Sequence, residues 1–314
     1  MSSKLAIIIP AYKDVYLLKA LESIVEQTDK NFNLYICNDN SPYNIEKTLE
    51  FFSKKHQFPY KYIKFSENLG GKDLVAHWNR CVEQIENEEW VWLFSDDDLL
   101  EKKCVEVVNK AICANISEDV IHLNISIIDK YGHIYRKCKP YRSHLSSGEF
   151  FDELYSGKID ARMPEFVFRR RILENKGGFV RFDLAWRSDN ATIINCGYPN
   201  GIKTVSDIDA NVLWRYSDDN ISAQYDDDMS NRKDQSTVDF FNWLDEFNKN
   251  NDILSISKHK MIKFMVTSLL NLKKTYNLKR IWNISKEFNY VKSFTDNILF
   301  IVWVYIFHLK RLIK

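Results

Sequence analysis

Three consecutive carboxylates, Asp96, Asp97 and Asp98, follow the apolar run Trp90–Phe94, and nothing in folding alone asks for three like charges at a buried strand's end. On an extended chain alternate residues point the same way, so Asp96 and Asp98 are expected to share one target. A divalent cation would relieve their repulsion, and hard carboxylate oxygens suit magnesium, manganese or calcium. The competing reading is a solvated acidic loop. Three further polar clusters have the same setting, each after an apolar run: Pro10–Asp14, Asp39 and Asn68–Gly71.

The elements that must carry these clusters alternate. Lys4–Ile9 reads as a central strand ended by Pro10, and Leu17, Leu18, Leu21, Ile24 and Val25 recur with helical period. Strands at Phe32–Cys37 and Tyr60–Phe65 and helices at Ile45–Lys55 and Asp73–Glu86 follow, and Trp90–Phe94 is the fourth strand. Such alternation predicts a mostly parallel, doubly wound sheet, whose ligands bind beyond the carboxyl ends of the strands. All four polar clusters fall on that edge. Val120–Asn124 and Ile125–Tyr135 read as a hairpin with its turn at Asp129–Gly132. Asp226–Asp228 lacks a buried strand before it and reads as a solvated connection.

Composition narrows the class. The 314 residues hold 45% hydrophobic and 14% aromatic residues with only 9 Gly and 6 Pro, enough for a large core and no linker-dominated architecture. The formal net charge of +1 argues against a nucleic-acid partner but hides an asymmetry. From Ser255 to Lys314 there are 12 Lys/Arg against Glu287 and Asp296, a net of +10, leaving −9 for the remainder. The six cysteines form no Cys-x-x-Cys pair and read as buried free thiols of a reducing cytoplasm. Leu5–Pro10 is too short for a signal peptide, and His77, His122 and His259 show no metal-like spacing.

Beyond Thr237 the pattern turns helical, with stripes Phe240, Phe241, Leu244, Phe247 and Met261, Phe264, Met265, Leu269, Leu272. Ile298–Leu309 is nearly continuously apolar and ends at Lys310, Arg311 and Lys314, well short of the ~20 residues a spanning helix needs. Two readings stand: an interfacial helix peripheral on the inner face of a membrane, or a helix packed on the domain or in a dimer.

Taken in order, the motifs resemble family-two inverting glycosyltransferases of the GT-A fold, from about Lys4 to Ser222. Ile8–Lys13 is similar to the family's first strand and base-cupping loop, and Cys37–Ser41 to its paired-Asp, Gly, Ser loop, with Asn38 and Asn40 departing from it. Asn68-Leu69-Gly70, continuing through Ala76 to Asn79, resembles its Asn-x-Gly pattern, and Asp96–Asp98 its Asp-x-Asp metal signature. Phe166–Arg170 and Gly177-Gly178-Phe179 look like its acceptor-side strand and turn. Trp214-Arg215-Tyr216 through Asn220-Ile221-Ser222 resembles its closing element, without the His often found there.

The resemblance implies a GT-A domain over 1–225, with a donor half to about 100 and an acceptor half beyond, and a helical extension over 226–314. It implies sugar transfer from a nucleoside diphosphate, uridine favoured, to a hydroxyl of a glycan or lipid-linked acceptor. Donor binding falls to Pro10, Ala11, Tyr12, Asp14, Asp39, Asn68, Gly71, Ser95, Asp96 and Asp97, and a manganese or magnesium ion to Asp98 with Asp96. Lys72, beside the Gly-Gly turn, is a further cation for the diphosphate or a plain surface lysine. Asp189 falls where the family places its catalytic base, with Asp183 as rival; helix capping is the alternative role of both. An aspartate-nucleophile phosphohydrolase and a non-catalytic binding module are the other classes. The first wants its Asp-x-Asp on strand one, and the second has no need of a base.

Overall fold

In the computed structural model the described residues are 3–217, 223–224, 226–270 and 278–312. Asn220-Ile221-Ser222, Leu272 and Lys314, named above, lie outside them. The first half alternates as expected: β1 (Leu5–Ala11), α1 (Leu17–Val25), β2 (Asn33–Asn38), α2 (Ile45–Lys55), β3 (Lys61–Lys64), α3 (Leu74–Val82) and β4 (Trp90–Leu93). β1 pairs in parallel with β2 and β4, and β2 with β3. Local chemistry starts the helices. Asn44 caps α2 by accepting from the Lys47 N–H, and Asp73 caps α3 by accepting from the Ala76 N–H.

Pro10 does not end β1, which runs on to Ala11 with Pro10 opposite Cys37. The β1–β4 ladder stops at Ile8–Leu93, so that side of β1 has no bond left for a proline to break.

After β4 come β5 (Leu99–Leu100), α4 (Cys104–Cys113), β6 (Val120–Ile128), β7 (Ile134–Lys137), β8 (His144–Leu145) and α5 (Ser147–Tyr155). The expected hairpin is β6–β7, but its first arm is one strand of nine residues rather than two segments. Then follow β9 (Phe166–Arg169), α6 (Arg170–Asn175), α7 (Ser188–Gly197), β10 (Ile202–Val205) and β11 (Asn211–Arg215). The main path of the sheet is β3-β2-β1-β4-β9-β6-β10-β8, with β9 antiparallel between β4 and β6. β11 lies parallel to β6 and antiparallel to β5. The sheet is therefore mixed and mostly parallel.

Alternation along the strands sends side chains to two cores. Leu5, Ile7 and Ile9 meet α1, α2 and α4 on one face; Ala6 and Ile8 meet the core of α3, α5 and α7 on the other. The second core extends into the C-terminal helices α8 (Asp227–Asn251), α9 (Lys258–Leu270), α10 (Leu278–Ser285) and α11 (Phe294–Leu312). Phe240 of α8 stacks on Tyr155, and Phe264 of α9 meets Phe151 edge-on.

Asp226–Asp228 are exposed, as expected of solvated residues, but they start a helix instead of forming a connection. The Asp226 side chain accepts from the Met229 N–H and caps α8, with Asp227 and Asp228 in the first turn, where the helix dipole favours negative charge. The helix thus begins ten residues before Thr237. All six cysteines are free, but Cys113 is exposed and Cys138 half-buried, so only four are buried thiols. Among the described residues no helix is long and apolar enough to cross a membrane.

Candidate active site

At the carboxyl edge of the sheet, β4 hands over to Ser95 and the three aspartates. The chain bends at Asp96–Asp97 instead of staying extended, so the expected shared target is not met by hydrogen bonding. Asp96 Oδ2 accepts the N–H groups of Tyr12 and Lys13, both at 2.8 Å, just past β1. Asp98, fully buried, accepts the Arg215 N–H on Oδ1 at 2.7 Å, at the end of β11. Among the described residues its Oδ2 is buried without a hydrogen-bond partner, and the Ser95 hydroxyl is a polar neighbour of this carboxyl.

Charge is concentrated here. Burial pushes the Asp98 carboxyl well above the usual range, helped by the neighbouring Asp97. Asp97 is pushed up to about 7 by burial and by Asp96, against the pull of Lys13 and Arg215. Asp96 is raised by burial in spite of its two N–H donors. Among the described residues no three His, Cys, Asp or Glu side chains form a metal cage by themselves. A carboxylate oxygen buried without a donor beside two more carboxylates does fit a hard divalent cation whose shell a substrate completes.

Tyr12 and Tyr43 stand at the same edge, both exposed, with rings edge-to-face and centroids 5.9 Å apart. The Ser41 hydroxyl donates to the Tyr12 carbonyl, tying the loops after β1 and β2 together. Pro10 and Ala11 form the floor as the last residues of β1, and Asp14 sits half-buried in the turn before α1.

Asp39, nearly fully buried, is committed within the fold. Its Oδ2 accepts from the Gly70 N–H at 2.7 Å and Asn68 Nδ2 at 3.1 Å. Its Oδ1 accepts from the Leu69 N–H at 3.0 Å and from the Arg80 guanidinium. The Asn68–Gly71 turn is thereby wrapped around one carboxylate, and Asn68 Oδ1 in turn accepts from the Gly71 N–H at 2.9 Å. Lys72 is mostly exposed, its nearest charge being Glu67 at 3.8 Å.

Asp189 lies half-buried in the first turn of α7, the helix on which it was expected. Its Oδ1 accepts from the Asn190 N–H, and it makes no other hydrogen bond among the described residues. Burial raises its carboxyl, opposed by the Asn190 N–H and the charges of Arg187 and Arg162. The approach to it is strained: Leu184, Ala185 and Arg187 have φ of 58°, 52° and 72°, each costing on the order of 1–3 kcal/mol. Neighbours hold the strain in place. Asn79 Oδ1 on α3 accepts the Phe179 N–H, Ser188 Oγ accepts the Phe182 N–H, and Ser236 on α8 donates to the Asp183 carbonyl. The rival Asp183 forms a two-pronged ion pair with Arg232, both bonds 2.7 Å, at the surface. That bond pulls its carboxyl below the usual range, the wrong direction for a base.

Four residues at this edge had no role assigned from sequence. Tyr43 follows a Ser-Pro turn, and an exposed aromatic on that loop was its only signal. Lys13 and Arg215 sit inside recognised motifs, and Arg215 is fully buried: Nε donates to the Asp97 carbonyl and Nη1 to the Asp129 carbonyl, over the Tyr16 ring at 4.3 Å. Arg80 is placed by helical spacing, its Nε donating to His77 Nδ1 three residues before it.

The sequence profile described as Glycosyl transferase family 2 matches residues 6–176, from β1 through α6. The chain is 26% identical over 196 residues to a GalNAc(5)-diNAcBac-PP-undecaprenol beta-1,3-glucosyltransferase of Campylobacter jejuni, covering 60% of this chain and 58% of that protein. Other curated relatives are matched over 13–47% of their length. Among solved structures, S. aureus TarS in complex with UDP-GlcNAc superposes with a TM-score of 0.63 at 15% identity, covering 90% of this chain and 81% of that one. The Pyrobaculum calidifontis mannosyltransferase PcManGT, in complex with GDP-Man and Mn2+, gives 0.53 at 14% identity over 96% and 86%. These two likenesses establish the GT-A-like fold. With the profile covering more than half of its length, the chain belongs to glycosyltransferase family 2.

Proposed function

We propose that this protein transfers a sugar, with inversion, from a nucleoside diphosphate carrier to a hydroxyl of a glycan or lipid-linked acceptor. The observation that carries the reading is the placement of Asp96 and Asp98. One is bound to the backbone past β1 and the other to the backbone of β11, and among the described residues one buried oxygen of Asp98 has no hydrogen-bond partner. In this reading residues 1–100 form the donor half, 101–225 the acceptor half and 226–314 a helical extension.

The donor lies on the carboxyl edge. Tyr12 and Tyr43 offer ring faces to the base over the floor of Pro10 and Ala11, and Asp14 borders that loop. Asp39 positions the Asn68–Gly71 turn rather than contacting donor, since its oxygens are already engaged. That turn, with Lys72 and Lys13, faces the phosphates, and Ser95, Asp96 and Asp97 line the floor beneath the ribose and diphosphate. Asp98, with Asp96, would hold Mn2+ or Mg2+. The bound ion supplies positive charge to the leaving diphosphate. Uridine is favoured as the base because TarS is complexed with UDP-GlcNAc; the GDP-Man of PcManGT keeps guanosine open.

Asp189 takes the proton from the attacking hydroxyl. Its carboxyl is raised towards the range of a useful base, no internal hydrogen bond occupies its second oxygen among the described residues, and strained backbone fixes its direction. Sugar-nucleotides of each base, incubated with the protein, Mn2+ and a glycan acceptor, test this. Nucleoside diphosphate release with one carrier, and a product of inverted anomeric configuration by NMR, are expected. Phosphate release from simple phosphomonoesters without use of any sugar-nucleotide would replace it with the phosphohydrolase reading.

A further inference from the structure

Among the described residues one face of α11 is left largely uncovered. Its inner side, with Asn297, Phe300 and Val304, packs on α9 and α10. Its outer side carries Phe294, Ile298, Val302, Tyr305 and Leu309, each 43–69% exposed. Their spacing of four, four, three and four residues makes one stripe along the helix, about 22 Å long. Scattered exposed apolar residues are ordinary, but an aligned row of five large ones marks a contact surface.

The surroundings of the stripe identify the contact. Trp282 packs edge-on against Phe294 with centroids 6.2 Å apart, and Lys286 lies 5.0 Å from the Trp282 ring. Further along, Trp303 carries Lys263 at 5.4 Å and His259 at 5.1 Å. A half-buried tryptophan beside a lysine at the end of an apolar strip, as Trp282 and Lys286 are, is the chemistry of a lipid–water boundary, whereas the Trp303 indole N–H is itself buried. The charge agrees: Ser255–Lys314 has a net of +10. Of its two acids, Asp296 is turned inward, bonded to Lys258 and capping α11 through the Lys292 and Ser293 N–H groups.

A second copy of the chain fits this face badly. A two-fold contact would set the stripe against itself and bring two basic rims together.

We propose that α11 lies flat on an anionic lipid surface, with Phe294, Ile298, Val302, Tyr305 and Leu309 entering the headgroup–acyl boundary and Lys263, Lys286 and Lys292 meeting lipid phosphates. The helix does not cross the bilayer. The inference is independent of which sugar is transferred, and holds whether or not the acceptor is lipid-linked.

Sedimentation of the full chain with phosphatidylglycerol–phosphatidylcholine vesicles, and with phosphatidylcholine alone, is the test. Binding is expected only with the anionic lipid and is expected to weaken with salt. The triple variant Ile298→Ser, Val302→Ser, Tyr305→Ser changes only half-exposed or exposed positions, so its circular dichroism should be unaltered while partitioning falls at least about tenfold. Lys286→Glu with Lys292→Glu leaves the stripe intact and should lower binding comparably. Equal sedimentation of wild type and both variants would overturn the proposal. So would a lipid-free dimer by light scattering that the triple variant dissolves, which would assign the stripe to a second copy instead.

Discussion

Asp98 Oδ1 accepts the Arg215 N–H at 2.7 Å, and Arg215 returns its guanidinium to the Asp97 carbonyl. This reciprocal tie joins the end of the fourth strand to β11, more than a hundred residues later. It makes the triplet part of the architecture as well as a candidate ion site. Removing the guanidinium in Arg215→Met leaves two carbonyls without their charged donor inside the fold. A loss of roughly 3 kcal/mol in denaturant stability is expected, with the midpoint rather than the slope shifting.

Asp189→Asn keeps size and the Asn190 contact but cannot take a proton. Turnover should fall by ~10²–10⁴-fold while donor affinity stays within about twofold. Asp183→Asn loses half of a surface ion pair with Arg232 and should cost at most about 1 kcal/mol of stability, with near-normal turnover. Steady-state kinetics of the two variants side by side separate base from bystander.

Gly70 tests the turn around Asp39. A Cβ there would come within 2.7 Å of Asp39 Oδ2, the atom that accepts the Gly70 N–H. Gly70→Ala must push the carboxylate off its donors, and about 1–3 kcal/mol of stability should go with it. Gly177→Ala is the control: nothing lies within 4 Å of its added Cβ, so only its φ of +83° is penalised.

His122 gives a pH prediction. It is fully buried, stacked on Tyr141 with centroids 3.6 Å apart, and burial pushes its pKa down to about 3 from 6.5. Between those values the unfolded chain binds a proton that the folded one does not, so this residue makes stability fall as pH drops from about 6.5 towards 3. Glu165, 3.7 Å from His122 Nε2 and pushed well up by burial, acts in the opposite sense above its ordinary value of 4.5. His122→Phe should therefore flatten the acid side of the stability curve relative to wild type, measured by urea unfolding at stepped pH.

Much of this was legible in the chain because it is local. The helix Ile45–Lys55 was read to the residue, and the structure shows short-range signals at both its ends, Asn44 as cap and Lys54–Lys55 in the last turn. The polar edge at the carboxyl ends of the strands was legible for the same reason: each cluster follows its own strand. Non-local events were not. β9 enters antiparallel between β4 and β6 from more than seventy residues beyond β4, and no periodicity announces such a partner. The bend that separates Asp96 from Asp98 is set by N–H groups of Tyr12, Lys13 and Arg215, which only the folded chain brings near. Asp226 shows a further limit. A polar triplet before a helix reads like a loop until the helix it caps is seen to begin there.

Calorimetric titration of the wild type and of Asp98→Asn with uridine, guanosine and thymidine diphosphates, with and without Mn2+, tests the central claim most directly. The asparagine retains an oxygen for the Arg215 N–H and removes the charge. Metal-dependent binding of one diphosphate by the wild type, lost in Asp98→Asn, is the expected result. Binding that ignores both the metal and the substitution, or no binding of any diphosphate, would contradict the account.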